Sequence, residues 1–170
     1  MRHNLWSYMF TTEEHLDNLI RHIKLVQDAC VLLGKRIIDR GDKGDEEFGI
    51  NLIAAGFIHD ASKFKGIEWR YLHSGPDVPK DKIAEAVKQH VETNMHHPEY
   101  HGGIERMSEL AIAEMVCDWY ARAQEFGTDL RQWIDKEACK RYAIKRKSAK
   151  HSLIIEFVDL LLLSSFVKSE

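Results

Sequence analysis

Cysteine is nearly absent from this chain, which carries three, Cys30, Cys117 and Cys139, an odd number set far apart. Each lies in a helical pattern beside apolar neighbours, which suits a reduced interior and argues against a disulfide framework or a zinc knuckle. A membrane-spanning run is missing too. The longest apolar tract, Leu153 to Val167, is broken by Glu156 and Asp159 and is too short to cross a bilayer. The first residues, Met1-Arg2-His3-Asn4-Leu5-Trp6-Ser7, hold no apolar signal core, so the expected location is cytoplasmic. Positive charge is not in excess. A net charge of −3 argues against general nucleic-acid binding, which rests on neutralising phosphates. No internal repeat or domain break is visible, and 170 residues suit a single domain.

What the chain does have is apolar content of 44% with 30% charged residues, the balance of a soluble globular protein. It also has ten histidines, an unusual number for the commonest metal-ligating residue. The pattern around them is helical. Thr11 and Glu14 offer a capping box, and Leu16, Leu19, Ile20, Ile23, Val26, Cys30, Leu33 and Ile37 then recur at helical spacing, with His22 at the edge of that face. A polar, glycine-punctuated loop follows at Asp39 to Asp45. A second helix is expected from about Glu46 to Phe64, with the bulk of a buried helix over Ile50 to Ile58. Lys65 to Lys80 reads as a long loop, with one short turn at Glu68, Trp69 and Tyr71.

A third helix starts near Pro79-Lys80-Asp81, and Ile83, Val87, His90, Val91 and Asn94 set its inward face. An imidazole there needs a partner, either a metal or a buried carboxylate. Ser108 can cap a fourth helix through Phe126. In it Asp118 interrupts an apolar run, where it is paired or coordinating, and Glu114 is one turn earlier. The last third reads as supporting structure, with short helix at Asp129 to Ile134 and a final helix from Ser148 or Ser152 to about Phe166. Between them Lys136, Lys140, Arg141, Lys145, Arg146, Lys147 and Lys150 form a basic run, read mainly as a solvated face.

Two stretches are dense in chemistry. His59-Asp60-Ala61-Ser62-Lys63-Phe64 ends the apolar run with an imidazole and a carboxylate side by side. Neighbours on one helix diverge by about 100°, so both reach one ion only if it sits beside the helix, and Asp60 keeps a second oxygen for another. Asn94-Met95-His96-His97-Pro98-Glu99-Tyr100-His101-Gly102-Gly103 is kept irregular by its proline and glycines, and loops leaving a rigid scaffold are where functional groups gather.

In order, the candidates are His22, His59-Asp60, His90, His96-His97 and Asp118. This resembles the H…HD…H…H…D pattern of the HD-domain superfamily of metal-dependent phosphohydrolases. It is closer still to an uncharacterised phage and bacterial family within that superfamily, with HD-x-S-K-F, N-x-H-H-x-x-Y and E-M-V-x-D-W motifs. Here these are His59 to Phe64, Asn94 to Tyr100 and Glu114 to Trp119. The resemblance implies an all-α, single-domain, HD-like bundle over 1–170, with a metal-binding core at about 12–126 and supporting helices at about 128–167. It implies His22, His59, Asp60 and Asp118 around a first metal. Asp60 would bridge to a second metal held by His90 and by His96, His97 or both. One or two divalent ions are expected, from iron, manganese, zinc, cobalt or nickel.

The reaction this implies is hydrolysis of a phosphoester of a nucleotide or related small molecule, with Asp60 and Lys63 as catalytic groups. Lys63, Asn94, Glu99, Tyr100, His101 and Glu114 are candidates for substrate contact or proton relay, and Lys65 to Lys80 and Tyr100 to Arg106 for selecting the substrate. The six-residue gap between His90 and His96 and the missing glycine-tyrosine-proline signature weigh against a cyclic dinucleotide. The alternatives are a mixed-valent di-iron oxygenase and a non-catalytic, metal-stabilised interaction domain. Oligomeric state is left open, since Trp6, Tyr8 and Phe10 suit a partner chain as well as the core.

Overall fold

The fold grows from its first helix. Leu19, Val26, Cys30, Leu33 and Ile37 are all buried on one face of α1, which runs over Leu5–Ile38. A computed structural model of the chain describes residues 5–72 and 78–163, with side chains from residue 13 onward. Thr11 and Glu14 fall inside α1, so the capping box does not start it. Nothing between Leu5 and Phe10 breaks a helix, neither Gly nor Pro, and the helix begins there instead. The side chains of Trp6, Tyr8 and Phe10 lie outside the description.

α2 (Asp45–Ile58) runs back along α1, and glycines make the crossing. A Cβ added at Gly49 would come within 2.6 Å of the Gly34 carbonyl oxygen, and one at Gly56 within 2.6 Å of the Cys30 Cβ. This overturns the expectation of a buried α2. Only Gly49, Leu52 and Gly56 are buried, while Ile50, Phe57 and Ile58 are 54%, 63% and 71% exposed. Close backbone approach uses the small face, which turns the bulky one outward. The helix also stops at Ile58, short of Phe64, and a separate 3-10 turn covers Ala61–Phe64.

α3 (Gly66–Tyr71) stands where one short turn was expected, and residues 73–77 lie outside the description. α4 (Lys80–Thr93) begins behind Pro79. Ala86 and His90 are buried on it, but Val87 is 43% exposed, a departure explained below by a cavity. The stretch after Asn94 is irregular, with 3-10 turns at Pro98–His101 and Ile104–Arg106.

α5 (Glu109–Phe126) is the central element, buried without a break from Ala111 through Cys117. The Ser108 hydroxyl caps it by accepting from the Ala111 amide. α6 (Leu130–Trp133) continues through one π turn, Ile134–Ala138, into α7 (Cys139–Arg141). That segment is longer than the short helix expected. α8 (Ala149–Leu162) starts behind Ser148, and the expected end near Phe166 lies outside the description.

The core lies where α1, α5 and α8 meet, around Leu33, Ile37, Ile112, Val116, Ile154 and Val158, none of them exposed. Each such side chain stabilises the fold by roughly 1.5–3 kcal/mol. The described residues contain no strand, and the fold is all-α and single-domain. Among them no helix is long and apolar enough to cross a membrane.

Candidate metal centre

His59 and Asp60 do not share a helix. α2 ends at Ile58, His59 is extended at φ −50° and ψ 132°, and Asp60 is left-handed at φ 57° and ψ 17°. A left-handed aspartate stores of order 1 kcal/mol of strain, the kind of outlier that marks functional sites. Its effect is geometric. The break aims both side chains into one space, with His59 Nε2 3.5 Å from Asp60 Oδ2.

Three helices, the break after α2 and the irregular stretch send donors to the same place. From α1, His22 Nε2 stands 3.1 Å from Asp118 Oδ1 on α5 and 3.8 Å from Asp60 Oδ2. From α4, His90 Nε2 lies 3.4 Å from the other Asp60 oxygen, Oδ1, and from the irregular stretch His96 Nε2 lies 3.7 Å from it. His97 Nε2 is 3.0 Å from His90 Nε2. Donor atoms of His22, His59 and Asp118 lie within 4.8 Å of one another, as do those of His59, Asp60 and His96, and those of His90, His96 and His97. Asp60 therefore presents one oxygen to each side. Both His96 and His97 belong to the trio with His90.

A second set of carboxylates stands behind the imidazoles. His59 donates Nδ1–H to Glu114 Oε1 at 2.9 Å, and His90 donates Nδ1–H to Glu68 Oε2 at 2.9 Å. His22 Nδ1 lies 3.2 Å from Glu125 Oε2, an ion-pair distance without a hydrogen bond. An ionised carboxylate only accepts, so it draws the proton to Nδ1 and leaves Nε2 to face the centre. Metal-ligating histidines are commonly held this way. The inward atoms, meanwhile, lack partners. His22 Nε2, His59 Nε2, Asp60 Oδ1, His96 Nε2 and Asp118 Oδ1 are all buried with no hydrogen bond. Unpaired buried polar atoms are costly. Five converging on one space fit divalent cations, and imidazole with carboxylate suits transition metals.

The model of a family of unknown function, DUF5662, matches residues 11–162, a span that includes every one of these donors. The chain belongs to that family. No curated protein and no solved structure matches it.

Charge at the centre of this DUF5662 chain is predominantly negative. Burial pushes the Asp60 carboxyl up, but His59, Lys63 and His96 outweigh it and hold the group below the usual carboxylate range. Asp118 is likewise held well below that range by His22, His59 and His96 against the effect of burial, and Glu114 by its bonds to His59 and His96. Burial would lower the His59 pKa, but Asp60, Glu114 and Asp118 raise it to about 9. On the other side the sign reverses. Burial, with His96 and His90 alongside, pushes His97 down to about 3, and burial also lowers His90.

A cavity of about 470 Å³ opens on the centre, within the usual range for a small-molecule site. Lys63, His90, His97 and Asp118 line its inner end, and Val87, Val91, Trp119, Trp133 and Tyr142 its walls. Arg122 and Arg141 add positive charge. Val87 is exposed because it faces this space. The last third of the chain, read as merely supportive, thus supplies Leu130, Trp133, Arg141 and Tyr142 to the lining. No described residue of 65–80 or 100–106 lines the cavity.

The remaining candidates take other positions. Lys63 bonds directly to Asp60 Oδ2. Asn94 closes α4, with its side-chain amide donating to the His90 carbonyl at 2.8 Å and to the Ser62 hydroxyl at 3.0 Å. Glu114 sits behind His59 and His96 rather than in the cavity. His101 donates to the Met95 carbonyl at 2.8 Å, and Glu99 and Tyr100 are exposed, so none of these three joins the cluster. Sequence reasoning missed Glu68 and Glu125. Glu125 is seven residues, two turns, beyond Asp118 on the same face of α5, a signal that could have found it. Glu68 is fully buried on a six-residue helix, and no pattern pointed to it.

Proposed function

We propose that the chain is a metal-dependent phosphohydrolase acting on a phosphoester of a nucleotide or related small molecule. The observation that carries this reading is the set of partnerless buried donors around Asp60, backed by carboxylates and opening into a cavity with cationic side chains. His22, His59, Asp60 and Asp118 would hold one ion, and Asp60, His90, His96 and His97 a second. Ions bound there would supply Lewis acidity and a water acidic enough to attack near neutral pH.

The chain's own groups do the rest. Lys63, between Asp60 and the cavity, offers a fixed positive charge to a phosphoryl oxygen. Arg141 favours an anionic ligand, Arg122 being paired to Glu125 at 2.9 Å, and Trp119, Trp133 and Tyr142 give its organic part an apolar surface that excludes water. Glu114, Glu68 and Glu125 keep the imidazoles aimed.

The test is turnover of a panel of nucleotides and phosphoesters by protein of verified metal content, with Lys63→Ala as the comparison. The expected result is metal-dependent phosphate release, reduced at least tenfold in the variant. Absence of turnover with every metal would overturn it. One observation favours a second reading: five of the seven donors are imidazoles, which also suit an iron pair. Oxygen uptake by anaerobically purified, iron-loaded protein, without phosphate release, would establish the oxygenase instead.

A further inference from the structure

One donor group lies apart from the centre. Asp135, Cys139 and His151 each place a ligand atom within 4.8 Å of the other two. Asp135 and Cys139 are one turn apart, i and i+4, around the single π turn at Ile134–Ala138. Such one-turn π segments recur at functional sites. His151 comes from the first turn of α8, where its amide donates to the Ser148 hydroxyl. Its ring, on a half-buried residue, supplies a second observation: Nε2 is buried and makes no hydrogen bond.

We propose that Asp135, Cys139 and His151 form a separate divalent-cation site of zinc type, clamping α8 to the α6–α7 segment. The donor chemistry selects the class of ion. Thiolate with imidazole and one carboxylate suits zinc or cobalt, whereas magnesium and calcium take oxygen ligands. Bonds of about 2.0–2.3 Å to a tetrahedral ion bring donors to about 3.3–3.8 Å apart, so closure requires movement of about an ångström. Asp135 can supply it, since its side chain is 60% exposed. Arg146 holds the carboxylate only in a long, exposed ion pair, which is weak. Its Nη2 stays 3.7 Å from Asp135 Oδ1 and donates instead to the Asp135 carbonyl at 3.0 Å. Three protein ligands leave the fourth position to water.

The position gives the site a consequence. Arg141 and Tyr142, which line the cavity, follow Cys139 by two and three residues. An ion holding Cys139 to α8 would fix the wall of the cavity that they form. The inference stands whether or not the chain hydrolyses phosphoesters.

Cobalt distinguishes the two centres. The central cluster offers only nitrogen and oxygen, and among the described residues no other cysteine joins a group of three donors. Reduced, metal-stripped full-length protein is titrated with cobalt(II), and thiolate-to-cobalt charge transfer is followed in the near ultraviolet. The expected result is a charge-transfer band in the wild type and in Asp60→Ala, lost in Cys139→Ser with one fewer ion bound. Asp135→Asn, on an exposed side chain that leaves folding intact, should weaken this band's titration by at least the 10–100-fold typical of losing an outer-shell partner. A folded, reduced wild type without the band overturns the proposal. So does a band that survives Cys139→Ser, one that is lost in Asp60→Ala, or a titration unchanged in Asp135→Asn.

Discussion

His22, His59 and Asp118 form one side of the centre and His90, His96 and His97 the other, and the two sides are held differently. On the first, both imidazoles have a carboxylate behind them, and Asp118 brings its own negative charge. On the second, His90 rests on Glu68 and His96 has Glu114 behind it at 3.5 Å, but His97 stands against the imidazoles of His90 and His96 and loses basicity. The lesson concerns affinity. A cation is drawn to the side that carries negative charge and oriented ligands, so the first side should fill first and the second more weakly. Asp60 joins them, with Oδ2 towards one and Oδ1 towards the other.

The harshest way to break this comparison is to remove the shared residue. Asp60→Ala should abolish ion binding on both sides, seen as metal content falling to background by elemental analysis; retention of either ion would mean that Asp60 does not join them. Next in size, Asp118→Asn should remove the tighter binding phase and keep the weaker one, whereas His97→Ala should keep the tighter phase and lose the weaker. Loss of the same phase in both variants would erase the difference between the sides.

Milder changes sharpen it. Glu125→Gln and Glu68→Gln should each weaken one ion by about 10–100-fold, the former on the first side and the latter on the second. Calorimetric titration would show which binding phase moves. If both variants shift the same phase, the assignment of carboxylates to sides is wrong.

The smallest effect is on the stability of metal-free protein against pH. His59 binds its proton more tightly when folded, so its contribution is full below 6.5 and is lost as pH rises to about 9. His97, lowered to about 3, acts the other way: its contribution is full above 6.5 and is lost as pH falls towards 3. The melting temperature should therefore peak near 6.5 and drop on both sides, by about 2–4 °C for each kcal/mol lost. Replacing His59 with Gln should remove the alkaline decline and leave the acid one. A wild-type melting temperature that climbs steadily through this range would refute the assignment.

Reading the chain as a string found the donors because ligand chemistry restricts residue type, and because His59-Asp60 and His96-His97 are adjacent pairs that composition alone makes conspicuous. It also found α5 as the carrier of Asp118, since a lone carboxylate in an apolar run is visible one residue at a time. It misjudged α2. Hydrophobic content cannot distinguish a helix buried all round from one that packs through glycines and turns Ile50, Phe57 and Ile58 outward. Glu68 stayed hidden because its role depends on a partner 22 residues away.

Residue chemistry along the chain was therefore enough to settle the helical class and the order of the candidate ligands. Those properties are local, set by periodicity and by donor type. Packing alone settled which oxygen of Asp60 faces which side, which carboxylate stands behind each imidazole, and that Trp133, Arg141 and Tyr142 line the cavity. Each of these is a distance between residues far apart in the chain, and such distances exist only once the helices have docked.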